Sequence, residues 1–345
     1  MKGAARARAR LKDVAVLAGV SVKTVSNVVN DYPHIRPATR RKVEEAIARL
    51  GYRPNLVART LARGQSGVVA LAVPELNAPY FAELAHHMVR EAVARGWTVL
   101  VDETGQIHDS SLLERERSAA SGIRDHLIDG VILNPLALND VDIARYASVP
   151  LVLLGERLGS EQADHVAIDN RAAAAEATRH LVERGRVRIA AIGPQPLPYG
   201  HSARLRFQGY RDALDEVGRP YERALVVDSL DWRRQSGADC ALQLLQLRNP
   251  PDAIFCFNDL LALGTIQALQ EAGLRIPDDI AVVGFDDIEE SRYSTPPLTT
   301  ISPDKAAIAR EAVARLAARL DSPDDWESKE VTIGYTLEVR ASSGG

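Results

Sequence analysis

The sequence predicts two differently built parts: an all-α helix-turn-helix head, and an α/β body whose doubly wound parallel sheets divide into two lobes. Three observations lead there. Residues 11–50 carry three short helical patterns punctuated by Gly19, Ser21, Pro37 and Gly51. From Gly67 onward, short aliphatic and β-branched runs alternate with amphipathic stretches, the rhythm of parallel strands covered on both faces. Charge divides at the same place. Through Gly64 fourteen Lys/Arg face four Asp/Glu, a net of +10, which leaves −14 for the rest of a chain whose formal charge is −4. A basic head on an acidic body suits a polyanion-binding module tethered to something that does not touch the polyanion.

In the head, Val14, Leu17 and Ala18 fall at helical spacing, and Gly19 supplies a left-handed stop. The Ser21 hydroxyl is placed to cap a second helix over residues 22–29, with Val25, Val28 and Val29 turned inward. So many β-branched residues make that helix weak alone, so packing must hold it. A third helix starts at Pro37, carries Val43, Ala46, Ile47 and Leu50 on one stripe, and ends at Gly51. Val22, Lys23, Thr24, Ser26 and Asn27 are left facing outward. In a DNA major groove Lys23 suits guanine O6/N7, Asn27 suits adenine and Val22 a thymine methyl. Ser21, His34, Thr39 and Arg40 complete the DNA-facing set of the head. Residues 1–10 form a basic arm, 11–53 the helix-turn-helix domain and 54–66 a linker.

Composition narrows the function. Apolar residues make up 46% and charged residues 26%, as in folded soluble domains. No run of about eighteen apolar residues exists to span a membrane. The N-terminal MKGAARARARLKD lacks the apolar core of a secretory signal, so a cytoplasmic protein, nucleoid-associated, is expected. Cys240 and Cys256 are too few for a disulfide framework and lack metal-ligand spacing. Phosphate-loop, dinucleotide, zinc-protease and serine-hydrolase motifs are all missing, and His86-His87 sits on a helical face beside no nucleophile. No catalytic residue, metal or cofactor is expected.

In the body, strands are expected at residues 68–73, 98–101, 131–133 and 151–154, then at 189–192, 225–227, 254–257 and 282–285. Helices are expected over residues 81–95 and 112–127, after Asp169, and over 206–217, 236–247 and 305–320. A single strand is expected over 331–337. Ligands of open α/β sheets sit beyond the carboxyl ends of the strands. That rule selects Asn77, Pro79, Tyr80 and Phe81, then Asp102, Glu156 and Asp169, then Asn258, Asp259, Asp286 and Asp287, and Phe285 joins the effector set beside them. Asp259 and Asp287 read as structural caps. Carboxylates, amides and arginine beside aromatic faces suit a polyhydroxylated ligand, since each charged group bonds two neighbouring hydroxyls.

The runs DVAVLAGVSVKTVSNVVN and TRRKVEEAIARLGYRPNLVARTLA resemble the lactose-repressor/galactose-repressor family of bacterial transcription factors. The similarity continues through GVILNP, HVAIDN, RLRFQGYRDAL, FNDLLALG, VVGFDDIE and PPLTTI, nearly the whole chain. It implies a periplasmic-binding-protein-like body and a hinge helix at residues 55–62 that folds on operator DNA. Asn55, Ala58, Arg59, Leu61 and Ala62 would meet the minor groove, with Leu61 as the wedge. It further implies that Arg206, Asn258 and Asp286 contact sugar and that Trp232 stacks on its ring. The core, 67–345, would divide into lobe one, about 67–166 plus 298–325, and lobe two, about 167–297 plus 326–345, with PPLTTI as a crossover. Added tetramerising heptads are absent, so the expectation is a homodimeric repressor on a pseudo-palindromic operator, released by a small sugar-like effector. A corepressor-dependent or activating regulator with a nucleobase or other metabolite is the alternative. A solute-binding protein of the same body fold would leave the basic head unexplained. Two departures from the family stand out. Ala9 and Arg10 replace the usual Ser/Thr cap of the first helix. Pro303, and Gly155-Glu156-Arg157 in place of an aspartate, alter the expected pocket.

Overall fold

The computed structural model describes residues 9–29, 32–52, 65–106, 109–121, 128–155, 162–195, 200–322 and 326–344. The chain forms two compact units, Met1–Gly67 and Val68–Gly345.

The first unit holds α1 (Leu11–Ala18), α2 (Val22–Val29) and α3 (Pro37–Leu50). Without a hydroxyl cap, α1 starts on the Arg10 N–H, which donates to Asp13 Oδ2 at 2.7 Å. Gly19 adopts φ +65° and ends it. Ser21 Oγ accepts from the Thr24 N–H at 3.0 Å, the expected cap of α2. Val14, Ala15, Val25, Val28, Val43, Ala46 and Tyr52 form the core. Leu17 and Leu50 are instead exposed. The buried stripe of α1 runs through positions 14, 15 and 18, leaving Leu17 roughly 110° from its centre at 100° per residue. Leu50 lies in the last turn of a helix nearly twice the length of its two partners.

The second unit contains two six-stranded sheets. The first has the order β11-β5-β4-β3-β1-β2 and is parallel throughout. Its strands are β1 (Val68–Val73), β2 (Thr98–Glu103), β3 (Gly130–Leu133), β4 (Leu151–Leu154), β5 (Asp164–Ile168) and β11 (Glu330–Ile333). The second has the order β12-β10-β9-β8-β6-β7, with only β12 antiparallel. Its strands are β6 (Ile189–Ile192), β7 (Val226–Val227), β8 (Ala253–Cys256), β9 (Ala281–Phe285), β10 (Thr299–Pro303) and β12 (Tyr335–Glu338). Helices α4 (Pro79–Ala94), α5 (Leu112–Ala120), α6 (Asp140–Tyr146) and α12 (Lys305–Asp321) pack in the first lobe. Helices α7 (Asn170–Glu183), α8 (His201–Glu216), α9 (Arg234–Leu245), α10 (Asp259–Glu271) and the short α11 (Glu289–Tyr293) belong to the second.

Two assignments of chain to lobe change. Residues 299–303, expected in the first lobe, pair with β9 in the second, Thr299 with Val283 and Ile301 with Phe285. Ile301 is fully buried in that lobe, and Thr300 Oγ1 donates to Asp259 Oδ1 at 2.5 Å, contacts available only there. The crossing follows Pro303, and α12 buries Ile308, Ala312, Val313 and Leu316 in the first lobe. The single strand expected over 331–337 divides at Gly334, giving β11 to the first sheet and β12 to the second. The chain therefore crosses between lobes at Asp169, Asp304 and Gly334. Helix α6, capped by Asn139 Oδ1 accepting from the Asp142 N–H at 3.0 Å, and strand β5 were not among the expected elements.

Candidate functional site

In the first unit, α2 presents Lys23 and Asn27 one helical turn apart on one face. Val22 is 46% exposed and Lys23 is exposed, while Thr24, Ser26 and Asn27 are half-buried. Thr24 Oγ1 and Ser21 Oγ lie 2.8 Å apart, so both hydroxyls help to start the helix. His34 is exposed, its ring set edge-on to Tyr32 at 5.6 Å. Arg40 Nη2 donates to the Tyr32 carbonyl at 3.2 Å, and Thr39 is half-buried. Asn55, Ala58, Arg59, Leu61 and Ala62 lie outside the described residues.

The second unit encloses a cleft of about 180 Å³ between the carboxyl ends of the two sheets, lined by both lobes. Its centre is Arg206, on α8. Gly209 presses α8 onto α7, where a Cβ would collide with the Arg171 carbonyl and the Ala175 amide, so the glycine of RLRFQGY sets the helix position. The Arg206 guanidinium lies over the Phe285 ring, 3.5 Å from its centroid, and 5.2 Å from that of Trp232. Nε donates to Asn170 Oδ1 at 2.8 Å and Nη1 to the Phe257 carbonyl, while Asp286 Oδ1 stands 3.8 Å from Nη1. Asn258 caps α10, its Oδ1 accepting from the Leu261 N–H at 2.9 Å and its Nδ2 donating to the Trp232 carbonyl at 3.2 Å. Trp232 Nε1 donates to the Gly193 carbonyl at 2.9 Å, which fixes the indole. Asp286 adopts φ +116°, a conformation uncommon for a residue with a side chain, and its N–H donates to the Ile301 carbonyl at 2.8 Å. Burial pushes its carboxyl up to about 8 against the opposing pull of Arg206.

Tyr80, Phe81, Arg206, Trp232, Asn258 and Asp286 all line the cleft as expected from the sequence. Asp102 does not. It lies inside β2, paired with Ala72, whereas the chain after β2 reaches the cleft only beyond the strand end, at Gln106. Phe285 is fully buried beneath Arg206, supporting the guanidinium instead of facing the cavity. Glu156 falls outside the described residues. Asp169 caps α7 through the Ala172 N–H at 2.9 Å. Asp259 and Asp287 are structural: the first accepts from Ser291, Thr300 and the Ile288 amide, the second from Arg292, Ser302 and Arg340. Asp259, wholly buried, is pushed up to about 6.

The cleft also holds residues the sequence reading passed over: Asn134, Asn170, Gln106 and the pair Glu75–Arg233. Asn134 ends GVILN, and the strand-end rule reaches it directly. Asn170 follows β5, a strand masked by its polar Asp164 and His165. Glu75 and Arg233 are separated by 158 positions yet approach to 2.6 Å across the cleft, which only the tertiary fold reveals. Among the described residues, no His/Cys/Asp/Glu group is arranged to hold a metal. Both cysteines are buried, which raises Cys240 to about 11 and Cys256 to about 12.

Residues 10–55 match the family described as bacterial regulatory proteins, lacI family, and residues 178–343 match the periplasmic binding protein-like domain. The HTH-type transcriptional regulator CelR of Thermobifida fusca is 37% identical over 346 residues, covering 98% of this chain and 99% of the relative. The chain belongs to the LacI family. The lac repressor dimer bound to operator and the anti-inducer ONPF aligns with a TM-score of 0.85 at 30% identity, over 97% of this chain and 99% of that one. A complex of the transcriptional regulator CelR with cellobiose aligns at 0.71 and 33% identity, over 97% and 100%. As a LacI-family transcriptional regulator, the protein joins a DNA-binding helix-turn-helix domain to a ligand-binding body. Among the described residues, no helix is long and apolar enough to cross a membrane.

Proposed function

We propose that this LacI-family regulator acts in the cytoplasm as a homodimeric repressor of a pseudo-palindromic operator, released when a small sugar-like effector occupies the cleft. The observation that carries the effector reading is the Arg206 guanidinium, braced on Phe285 beside Trp232, with Asp286 and Asn258 converging on the same cavity. Such a set bonds adjacent hydroxyls edge-on while an aromatic ring covers the sugar face. CelR in complex with cellobiose, a family member similar over nearly the whole chain, supports a carbohydrate.

On DNA, α2 lies in the major groove, with Lys23 on guanine, Asn27 on adenine and Val22 against a thymine methyl. Ser21, Thr24, Ser26, His34, Thr39 and Arg40 serve the phosphates and the groove edge. Residues 55–62 fold as a hinge helix, where Asn55, Ala58, Arg59 and Ala62 flank Leu61 as it wedges into a minor-groove step. Effector-driven movement of the lobes disfavours that folding. A coupling of about 2–3 kcal/mol loosens the operator about 30- to 150-fold. Tyr80, Phe81 and Trp232 offer faces that also suit a nucleobase, and this is the second reading.

One experiment tests both. Operator sequences are selected from a randomised duplex pool. Binding to the winner is then titrated at fixed salt with sugars and nucleobases that raise the melting temperature. Release by a sugar is the expected result. Tightening by a nucleobase establishes the second reading, and failure to enrich any sequence removes the operator itself.

A further inference from the structure

The cleft treats positive and negative groups unequally. Its described lining includes the basic side chains His201, Arg206 and Arg233. Arg206 is committed to Asn170, the Phe257 carbonyl and two aromatic faces. His201 Nδ1 lies 3.3 Å from Arg204 Nη2. Arg233, at the start of α9 in the second lobe, gives Nη2 to Glu75 Oε1 of the first lobe at 2.6 Å. Gln106 also lines the cavity, and its Oε1 is a buried acceptor with no hydrogen-bond partner among the described residues. Walls of this kind satisfy a ligand rich in O–H donors. A phosphate or carboxylate brings acceptors and charge. Arg206, which the sugar reading gives to the ligand's hydroxyls, already faces Asp286, so a second cation comes only by drawing Arg233 away from Glu75, which leaves the anion beside the vacated carboxylate.

Resting on the reading of the cleft as a sugar site, we propose that Glu75 is a charge filter. By holding Arg233 in an ion pair across the cleft, it makes the site take an uncharged polyhydroxylated ligand and refuse the phosphorylated counterpart. The Arg233 side chain is 49% exposed and that of Glu75 20%, so the pair adds little stability. Its consequence is discrimination, through the penalty on the wrong ligand.

The test compares full-length wild type with Glu75→Gln, which keeps the size of the side chain and removes its charge. Calorimetry measures glucose, galactose and ribose against glucose 6-phosphate, galactose 6-phosphate and ribose 5-phosphate. Inorganic phosphate in a thermal-shift assay serves as a probe that needs no sugar. Wild type should favour the neutral member by about tenfold or more, and E75Q should lower that ratio by about tenfold. Inorganic phosphate should raise the melting temperature of E75Q and leave wild type unmoved. Arg233→Gln, lacking the cation, should refuse phosphates as wild type does. Equal binding of both members by wild type, or an E75Q protein with unchanged ratio and phosphate response, overturns the filter. If no sugar binds wild type, neither these three nor any in the melting-temperature screen, the carbohydrate reading fails, while the phosphate response of E75Q still decides the role of Glu75.

Discussion

The head and the body present their working residues in opposite ways. In the head, the side chains proposed to read bases project from α2, an eight-residue helix in which Val22, Thr24, Val25, Val28 and Val29 are all β-branched. Apart from the Ser21 cap little that is local strengthens that helix, and among the described residues seven buried side chains form the core that holds it. In the body, Arg206, Asn258 and Trp232 are fastened by neighbours before any ligand arrives. A surface that must conform to a duplex can be carried on a marginal scaffold, because DNA supplies the missing order. A cleft that must discriminate among small molecules needs its polar groups already in place.

The largest test of that contrast is Arg206→Ala. It leaves Asn170 Oδ1, the Phe257 carbonyl and Asp286 without their buried partner, so the body should lose about 3–5 kcal/mol, the cost of breaking a buried charged network. Effector response should vanish. Operator affinity without effector, measured below the body's melting temperature, should stay near wild type. A matching loss of operator binding would mean the head depends on the body's cleft.

Val25→Ala is the reciprocal test and somewhat smaller. Val25 is fully buried, and removing its two methyls should cost about 2 kcal/mol. In so small a core that is roughly a 10 °C fall in the head's transition. Operator binding should drop sharply while effector affinity, read by calorimetry, holds.

A pH titration sharpens the body's side. Asp286 has its folded value raised to about 8 by burial, so between the ordinary carboxylate range and about pH 8 the folded state holds a proton that the unfolded state releases. Its contribution is therefore complete at low pH and is lost as pH rises towards 8. Asp259, raised to about 6, has the same sign but loses its contribution sooner. Relative to wild type, Asp286→Asn should gain at least about 1.4 kcal/mol between pH 5 and pH 9, the worth of one unit of linkage. A difference in melting temperature that stays flat with pH would show that Asp286 is ionised throughout.

How much was legible follows the same division. The head is a local object. Gly19, Ser21, Pro37 and Gly51 mark its helices directly, and among its described apolar residues Leu17 and Leu50 were misplaced, since stripe and helix length, not apolarity alone, decide burial. The body is non-local. The strand-end rule found Tyr80, Asn258 and Asp286, but it placed Asp102 past the end of β2, which runs to Glu103, so that Gln106 reaches the cleft instead. Strand β5 escaped notice through its polar Asp164 and His165, and Asn170 with it. PPLTTI looked like a crossing until the pairing of Ile301 with Phe285 placed it inside the second sheet. Glu75 and Arg233 carry no local signal at all.

The smallest prediction concerns Ser21, which the sequence marks both as the cap of α2 and as a DNA-facing residue, and whose Oγ accepts from the Thr24 amide at 3.0 Å. Ser21→Ala should cost the head about 1 kcal/mol, and Ser21→Gly only a few tenths, because glycine suits a cap better than alanine. If the hydroxyl acts only as a cap, operator affinity should follow that order and its salt dependence should not change. If it also holds a phosphate through a neutral contact, Ser21→Gly should weaken binding as much as Ser21→Ala despite the milder effect on stability. Melting the head alongside each binding measurement separates the two: affinity that falls in proportion to head stability means the head's marginal scaffold, not a missing contact, governs its grip.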